Sequence, residues 1–199
     1  GEITINYDDV STQAASGCGQ YEYTITRTWT ATDICGNFSE CVQIIEVEDT
    51  TAPVITCAAD TTIECDESTD PSNTGMTTAT DNCAASSEIV ISSSDASTQT
   101  ATGCGQYEYT ITRTWTAADI CGNSTQCTQI IEVEDTTAPV ITCPNNLTIE
   151  CDESIDPNNT GTATATDNCA AIAEIAIAYT DASTQGASGC PFYEYTITR

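Results

Sequence analysis

The chain has 199 residues, of which 30 are acidic and three basic, giving a formal net charge of −27, and it contains no histidine. Its only cations are Arg27, Arg113 and Arg199, so it cannot neutralise phosphates; nucleic acid and insertion into an anionic membrane are excluded as partnerships, and cations are favoured. Without histidine there is no Ser-His-Asp, Cys-His or His-zinc site, and without lysine there is no Lys-Asn isopeptide cross-link.

In chain order, the first strongly patterned stretch is GCGQYEYTITRTWTATDICGN, Gly17 to Asn37. It returns as GCGQYEYTITRTWTAADICGN from Gly103 to Asn123, and begins again as GCPFYEYTITR from Gly189 to Arg199. Cys18, Cys104 and Cys190 stand 86 residues apart, and the same step links Cys35 to Cys121, Cys57 to Cys143 and Cys83 to Cys169. A unit of 86 residues is the size of a small immunoglobulin-like sandwich and too long for a solenoid repeat. The boundary is placed at EVEDTTAPVITC, where a strand ends in acids and restarts after a proline. Residues 1–48 are then the C-terminal part of one unit, 49–134 a complete unit, and 135–199 the N-terminal part of the next. Because the chain opens within a unit, it is read as a window on a longer protein; no apolar run is long enough to span a bilayer.

In the complete unit, strands are predicted at Pro53–Cys57, Thr61–Cys65, Met76–Thr80, Glu88–Ser92, Gln106–Ala117 and Thr125–Glu134, separated by Asp-, Asn- and Gly-rich turns. No helix is predicted. The long strand alternates: Tyr107, Tyr109, Ile111, Arg113, Trp115 and Ala117 share one face, while Glu108 and four threonines share the other. That pattern suits a strand with one side on a core and one side in water. Arg113, lying between Ile111 and Trp115, is expected at the rim of the core, stacked on Trp115.

Thirteen cysteines leave two readings, a disulfide framework in an oxidising compartment or a set of metal sites. There is no CxxC pair, and the closest spacing, Cys35 to Cys41 and Cys121 to Cys127, leaves five residues between, so disulfides are favoured over zinc. The expected location is the cell surface or the extracellular space.

The words DTTAPVITC, TATDNC, TRTWTAADICGN and CTQIIEVED resemble the hyaline-repeat class of immunoglobulin-like domains. More narrowly, they are similar to the cysteine-rich tandem repeats of large surface adhesins in gliding Bacteroidota. The resemblance covers all three copies. It implies an all-β, end-to-end array of immunoglobulin-like sandwiches that acts as a stalk or fibre of an adhesin. Its partners would be neighbouring repeats, laterally associated chains, and surface glycans or proteins. If the strands alternate in direction as in such a sandwich, the expected disulfides are Cys57 with Cys127, Cys83 with Cys121 and Cys65 with Cys104. The equivalent cysteines are Cys143, Cys151, Cys169 and Cys190 in the third copy and Cys18, Cys35 and Cys41 in the first.

Residues 49–134 hold thirteen carboxylates against Arg113 alone. Hard oxygen ligands clustered at turns suit calcium, for which Asp66, Glu67, Asp70 and Asp95 at one pole and Asp81, Asp119, Asp135 and Asp167 at the other are candidates; the competing reading is a solvated acidic surface. Calcium is expected where the end of one unit meets the start of the next. Glycosylation acceptors are Asn37, Asn123, Asn146 and Asn158 in sequons, and Thr50, Thr61 and Thr136 in Asp-Thr-Thr words. No catalytic residue is assigned and the chain is read as a non-enzyme. The alternatives are a carbohydrate- or protein-binding module with its ligand on the loops, for which Phe38 against Ser124 is the only hint, and a glycan hydrolase using paired carboxylates.

Overall fold

The structure is a computed structural model that describes residues 2–186 and 195–199. It is built mainly of short strands in several small sheets. In the first copy, β1 (Ile3–Ser11), β2 (Tyr23–Asp33) and β3 (Phe38–Val47) form an antiparallel sheet in that order. In the middle copy, β4 (Val54–Thr56) pairs with β6 (Thr78–Thr80). A second sheet there has the order β5 (Thr61–Glu64), β9 (Ser124–Glu134), β8 (Tyr109–Ala118), β7 (Val90–Ser97). The third copy has the pair β10 (Val140–Thr142) and β11 (Thr164–Thr166), then β12 (Ala182–Ser183) with β13 (Ile197–Thr198). Two four-residue helices that strand periodicity gave no sign of, α1 (Pro71–Thr74) and α2 (Pro157–Thr160), open on a proline, whose fixed φ and missing N–H suit a first helical turn. Elements recur with the sequence period: β4 and β10, α1 and α2, and β6 and β11 each start 86 residues apart.

The chain separates into two compact units. One comprises Gly1–Ile63, Ser68–Thr98 and Thr110–Glu132; the other comprises Glu64–Glu67, Gln99–Tyr109 and Val133–Arg199. Two turns of the middle copy therefore pack with the third copy.

The long strand alternates as expected, with Ile111, Arg113, Trp115 and Ala117 buried and the intervening threonines partly exposed. Their counterparts in β2 are only half-buried, and Ile3, Ile5 and Tyr7 on the neighbouring β1 are well exposed. The difference is cover: in the middle copy, residues 58–77 close over the sheet. Gln129 of β9 is fully buried there. It accepts from Trp115 Nε1 (3.2 Å) and donates to the carbonyls of Ala59 (2.8 Å) and Thr74 (2.6 Å), so a chain with no regular ladder at those residues still has its buried carbonyls satisfied.

Arg113 is not at a rim but buried, 3% exposed. Asp95, its cross-strand neighbour in the β7–β8 register, receives Nε and Nη2 at 2.8 Å each. Nη1 donates to Thr74 Oγ1 and Nη2 to the Thr69 carbonyl, both at 2.8 Å. The Trp115 ring lies 5.8 Å from the guanidinium carbon and adds a cation–π contact to a charge held mainly by hydrogen bonds. Arg27 with Asp9, and Arg199 with Asp181, repeat the ion pair in the flanking copies.

Candidate functional site: the junction between sequence copies

The residues that join one copy to the next lie in turns. In the first unit, the 3-10 turn at Cys18–Gln20 brings Tyr21 and Gln20 onto Glu88, which accepts from Tyr21 Oη at 2.7 Å and from Gln20 Nε2 at 3.2 Å. In the second unit, Tyr107 and Gln106 meet Glu174 in the same way, at 2.6 and 3.2 Å. These bonds hold the Glu88 and Glu174 carboxyls below, and the two tyrosine hydroxyls above, their ordinary ranges. Nothing in the sequence marks this contact, because Glu88 and Glu174 read only as strand-edge acids until one copy is set against the next.

Among the described residues, three cysteine pairs lie at bonding distance. Cys57 and Cys127, with Cα atoms 6.0 Å apart, fasten the start of the middle copy to its last strand, the pairing expected from topology. The other two expected pairings, Cys83 with Cys121 and Cys65 with Cys104, give way to bonds between copies. Cys121 joins Cys18 (Cα–Cα 4.7 Å) and Cys65 joins Cys169 (5.9 Å). The reason is the contact between copies. The turn at Cys18–Gln20 that sets Gln20 and Tyr21 on Glu88 also carries Cys18 to Cys121, at the end of β8. Cys104, in its exposed turn, donates its thiol to Glu108 Oε2 at 2.9 Å; Glu108 holds that thiol above its usual range.

Cys35, Cys41, Cys83, Cys104, Cys143 and Cys151 are unpaired and exposed. Each stands 86 residues from a paired cysteine: respectively Cys121, Cys127, Cys169, Cys18, Cys57 and Cys65. Cys190 lies outside the described residues.

Acidic side chains gather beside the bonds. Asp49, 2% exposed, uses Oδ1 to accept the Thr51 N–H, and Asp81 uses Oδ1 to accept from Cys83 and Ala84; the Oδ2 of each is buried without a hydrogen-bond partner. Ligand atoms of Asp49, Asp81 and Cys83 lie within 4.8 Å of one another. Burial, then the charges of Asp49, Asp81 and Asp119, push the Cys83 thiol up. Asn123 bridges two acids of this group, donating Nδ2 to the Asp49 carbonyl (2.8 Å) and to Asp119 Oδ2 (2.9 Å). The equivalent acids in the second unit, Asp135 and Asp167, likewise each keep one buried oxygen unpartnered, and Glu64 lies within 4.8 Å of Asp135 and the Cys65–Cys169 sulfurs. Glu64 also accepts from Thr136, at its N–H (3.3 Å) and its hydroxyl. Burial and the Asp167 charge raise the Asp135 carboxyl above its ordinary value.

Of the eight acids that the sequence singles out for calcium, Asp81, Asp119, Asp135 and Asp167 thus stand at these clusters. The other four do not. Asp95 is the counter-ion of Arg113, Asp70 accepts from Ser68 Oγ at 3.0 Å beside α1, Glu67 Oε2 accepts the Glu64 N–H at 3.1 Å, and Asp66 is exposed in the same turn. Asn37 donates its amide nitrogen to Asp33, and Asn123 donates its own to Asp49 and Asp119, so both serve as turn residues; Asn146 and Asn158 are exposed, as are Thr50 and Thr136, while Thr61 is half-buried. Among the described residues, no helix is long and apolar enough to cross a membrane. A groove of about 1060 Å³ in the third copy has Ile141, Leu147, Ile177 and Ile197 in its lining. The chain matches no model of a known protein family and no curated protein.

Proposed function

We propose that the chain is a load-bearing segment of an extracellular adhesin or fibre, built from immunoglobulin-like repeats of the hyaline-repeat kind and reinforced by disulfides between repeats. The observation that carries this reading is the overlap of two bonds. Cys18–Cys121 bypasses the backbone from 18 to 121, and Cys65–Cys169 bypasses it from 65 to 169. Every peptide bond between Cys18 and Cys169 is therefore spanned by at least one disulfide. Cross-links of this kind persist in an oxidising environment, which fits the cell exterior. The 86-residue images of the six unpaired cysteines extend the pattern: Cys35, Cys83, Cys104 and Cys151 take a partner in a neighbouring repeat, as their images do here, and Cys41 and Cys143 one within their own. Such an array has a doubled covalent path throughout.

Single-molecule stretching from end to end tests the proposal. With the bonds intact, the shortest covalent route runs from residue 1 to Cys18, across to Cys121, on to Cys127, across to Cys57, on to Cys65, and across to Cys169 and so to 199; it is about 65 residues, or roughly 225 Å when fully extended. After reduction, the whole chain should extend to about 690 Å. An oxidised chain that extends to the reduced length under load would refute a load-bearing role for the bonds.

A further inference from the structure

We infer that each copy opens with a calcium site, formed by Asp49 and Asp81 in the middle copy and by Asp135, Asp167 and Glu64 at the start of the third. Unpaired oxygens are the first indication. A buried carboxylate oxygen without a donor or counter-ion carries a desolvation cost that nothing at that atom offsets. Asp49 is almost completely buried, yet its Oδ2 has no partner, and the nearby oxygen without one belongs to another acid, Asp81. The arrangement recurs at Asp135 and Asp167, so it belongs to the repeat and not to one loop.

The backbone presets the geometry. Asp81 and Asp167 each have one oxygen fixed by two turn N–H groups, at 2.8 and 2.9 Å in both cases. The carboxylate plane is thereby held, and the second oxygen is left buried and unpartnered. Carboxylate oxygens of Asp49 and Asp81, and of Glu64 and Asp135, lie within 4.8 Å of one another, close enough to share a cation whose oxygen bonds run about 2.3–2.6 Å, with the unpartnered Asp167 Oδ2 as a further donor at the second site. The donors are hard carboxylates. The sulfurs beside the second site are tied in the Cys65–Cys169 bond, the first site has the single thiol of Cys83 beside its two carboxylates, and the chain has no histidine, so the oxygen-dominated set suits calcium better than a transition metal.

In the second site Glu64 comes from the middle copy and the two aspartates from the third, so a bound ion would tie consecutive copies beside the Cys65–Cys169 bond. Such sites would bind calcium whether or not the disulfides bear load.

The test is calorimetric titration of the intact, oxidised chain with calcium at pH 7 in metal-free buffer, with melting followed in calcium and in a chelator. Two calcium ions per chain and a rise in Tm with millimolar calcium are expected, with magnesium far weaker. Asp135→Asn with Asp167→Asn should lower the stoichiometry from two to one and leave the melt in chelator at or above that of the parent, since a repulsion is removed. The wild-type melt in calcium against chelator keeps the inference falsifiable if the variant fails to fold. No heat and no Tm change with calcium, or two ions still bound by the variant, would overturn it. So would a Tm that responds only to pH, which would assign the carboxylate pairs to a shared proton.

Discussion

Replacing Cys57 and Cys127 together by serine removes the one disulfide that lies wholly within the middle copy. The bond closes a loop of 70 residues, but the other cross-links shorten it. From Cys57 the unfolded chain can return to Cys18, cross to Cys121 and run on to Cys127, a circuit of about 45 residues. The loop-entropy relation gives about 4 kcal/mol for a loop of that size. An 86-residue unit unfolds with an entropy of about 0.18 kcal/mol per degree, so the oxidised variant should melt about 20 °C below the parent. The staple bears on more than entropy. It ties the turn after β4 to β9, the strand that presents Gln129 and Ile131 to the core. Differential scanning calorimetry in the absence of reductant, with peptide mapping to show that Cys18–Cys121 and Cys65–Cys169 remain, measures the effect. Full reduction should bring parent and variant together. A variant that melts within about 5 °C of the oxidised parent would show that burial alone holds the copy, and the reasoning would fail.

Trypsin cutting at Arg27 should leave the wild-type chain as a single band on a non-reducing gel and release residues 1–27 on reduction; Cys121→Ser should release them without reductant, because Cys18 has no other partner. Arg113→Ala should destabilise the chain by about 3–5 kcal/mol in urea denaturation, since it leaves Asp95, Thr74 and the Thr69 carbonyl without their shared donor; a loss under 1 kcal/mol would show that water replaces the guanidinium. Gln129→Leu fills the same space but strips three buried groups of their partner and should cost about 2–4 kcal/mol in the same assay. Asp95 is held below the ordinary carboxylate range, chiefly by its hydrogen bonds from Arg113, so its contribution is present above the unfolded aspartate value, about 3.9, and is lost as pH falls through its lower folded value. Melting curves between pH 5 and 2 should therefore fall more steeply for the parent than for Asp95→Asn.

What could be read in the sequence was whatever repeats or alternates along the chain. The 86-residue step, the six strands of the middle copy and the burial of Ile111, Trp115 and Ala117 all follow from spacing, because strand periodicity is a local property. Arg113 had the right face but the wrong depth: its offsetting groups, Asp95, Thr74 and Thr69, lie 18 to 44 residues away and nothing local marks them. The disulfides show the same limit more sharply. An exact period fixes which cysteines are equivalent but not whether a bond closes within a copy or between copies, since both choices obey the same arithmetic. The contact of the Cys18–Gln20 turn with Glu88 decides it, by carrying Cys18 to Cys121. The acids behave alike. Asp81, Asp119, Asp135 and Asp167 were legible as turn carboxylates, with Asp49 at the same pole, whereas Glu64 became a candidate only once the chain placed it against an acid far away in sequence. A repeat sequence therefore specifies its strands by itself and its junction only in company, and in this chain it is the junction that holds the covalent bonds, the unpaired carboxylates and the Tyr–Glu contacts together.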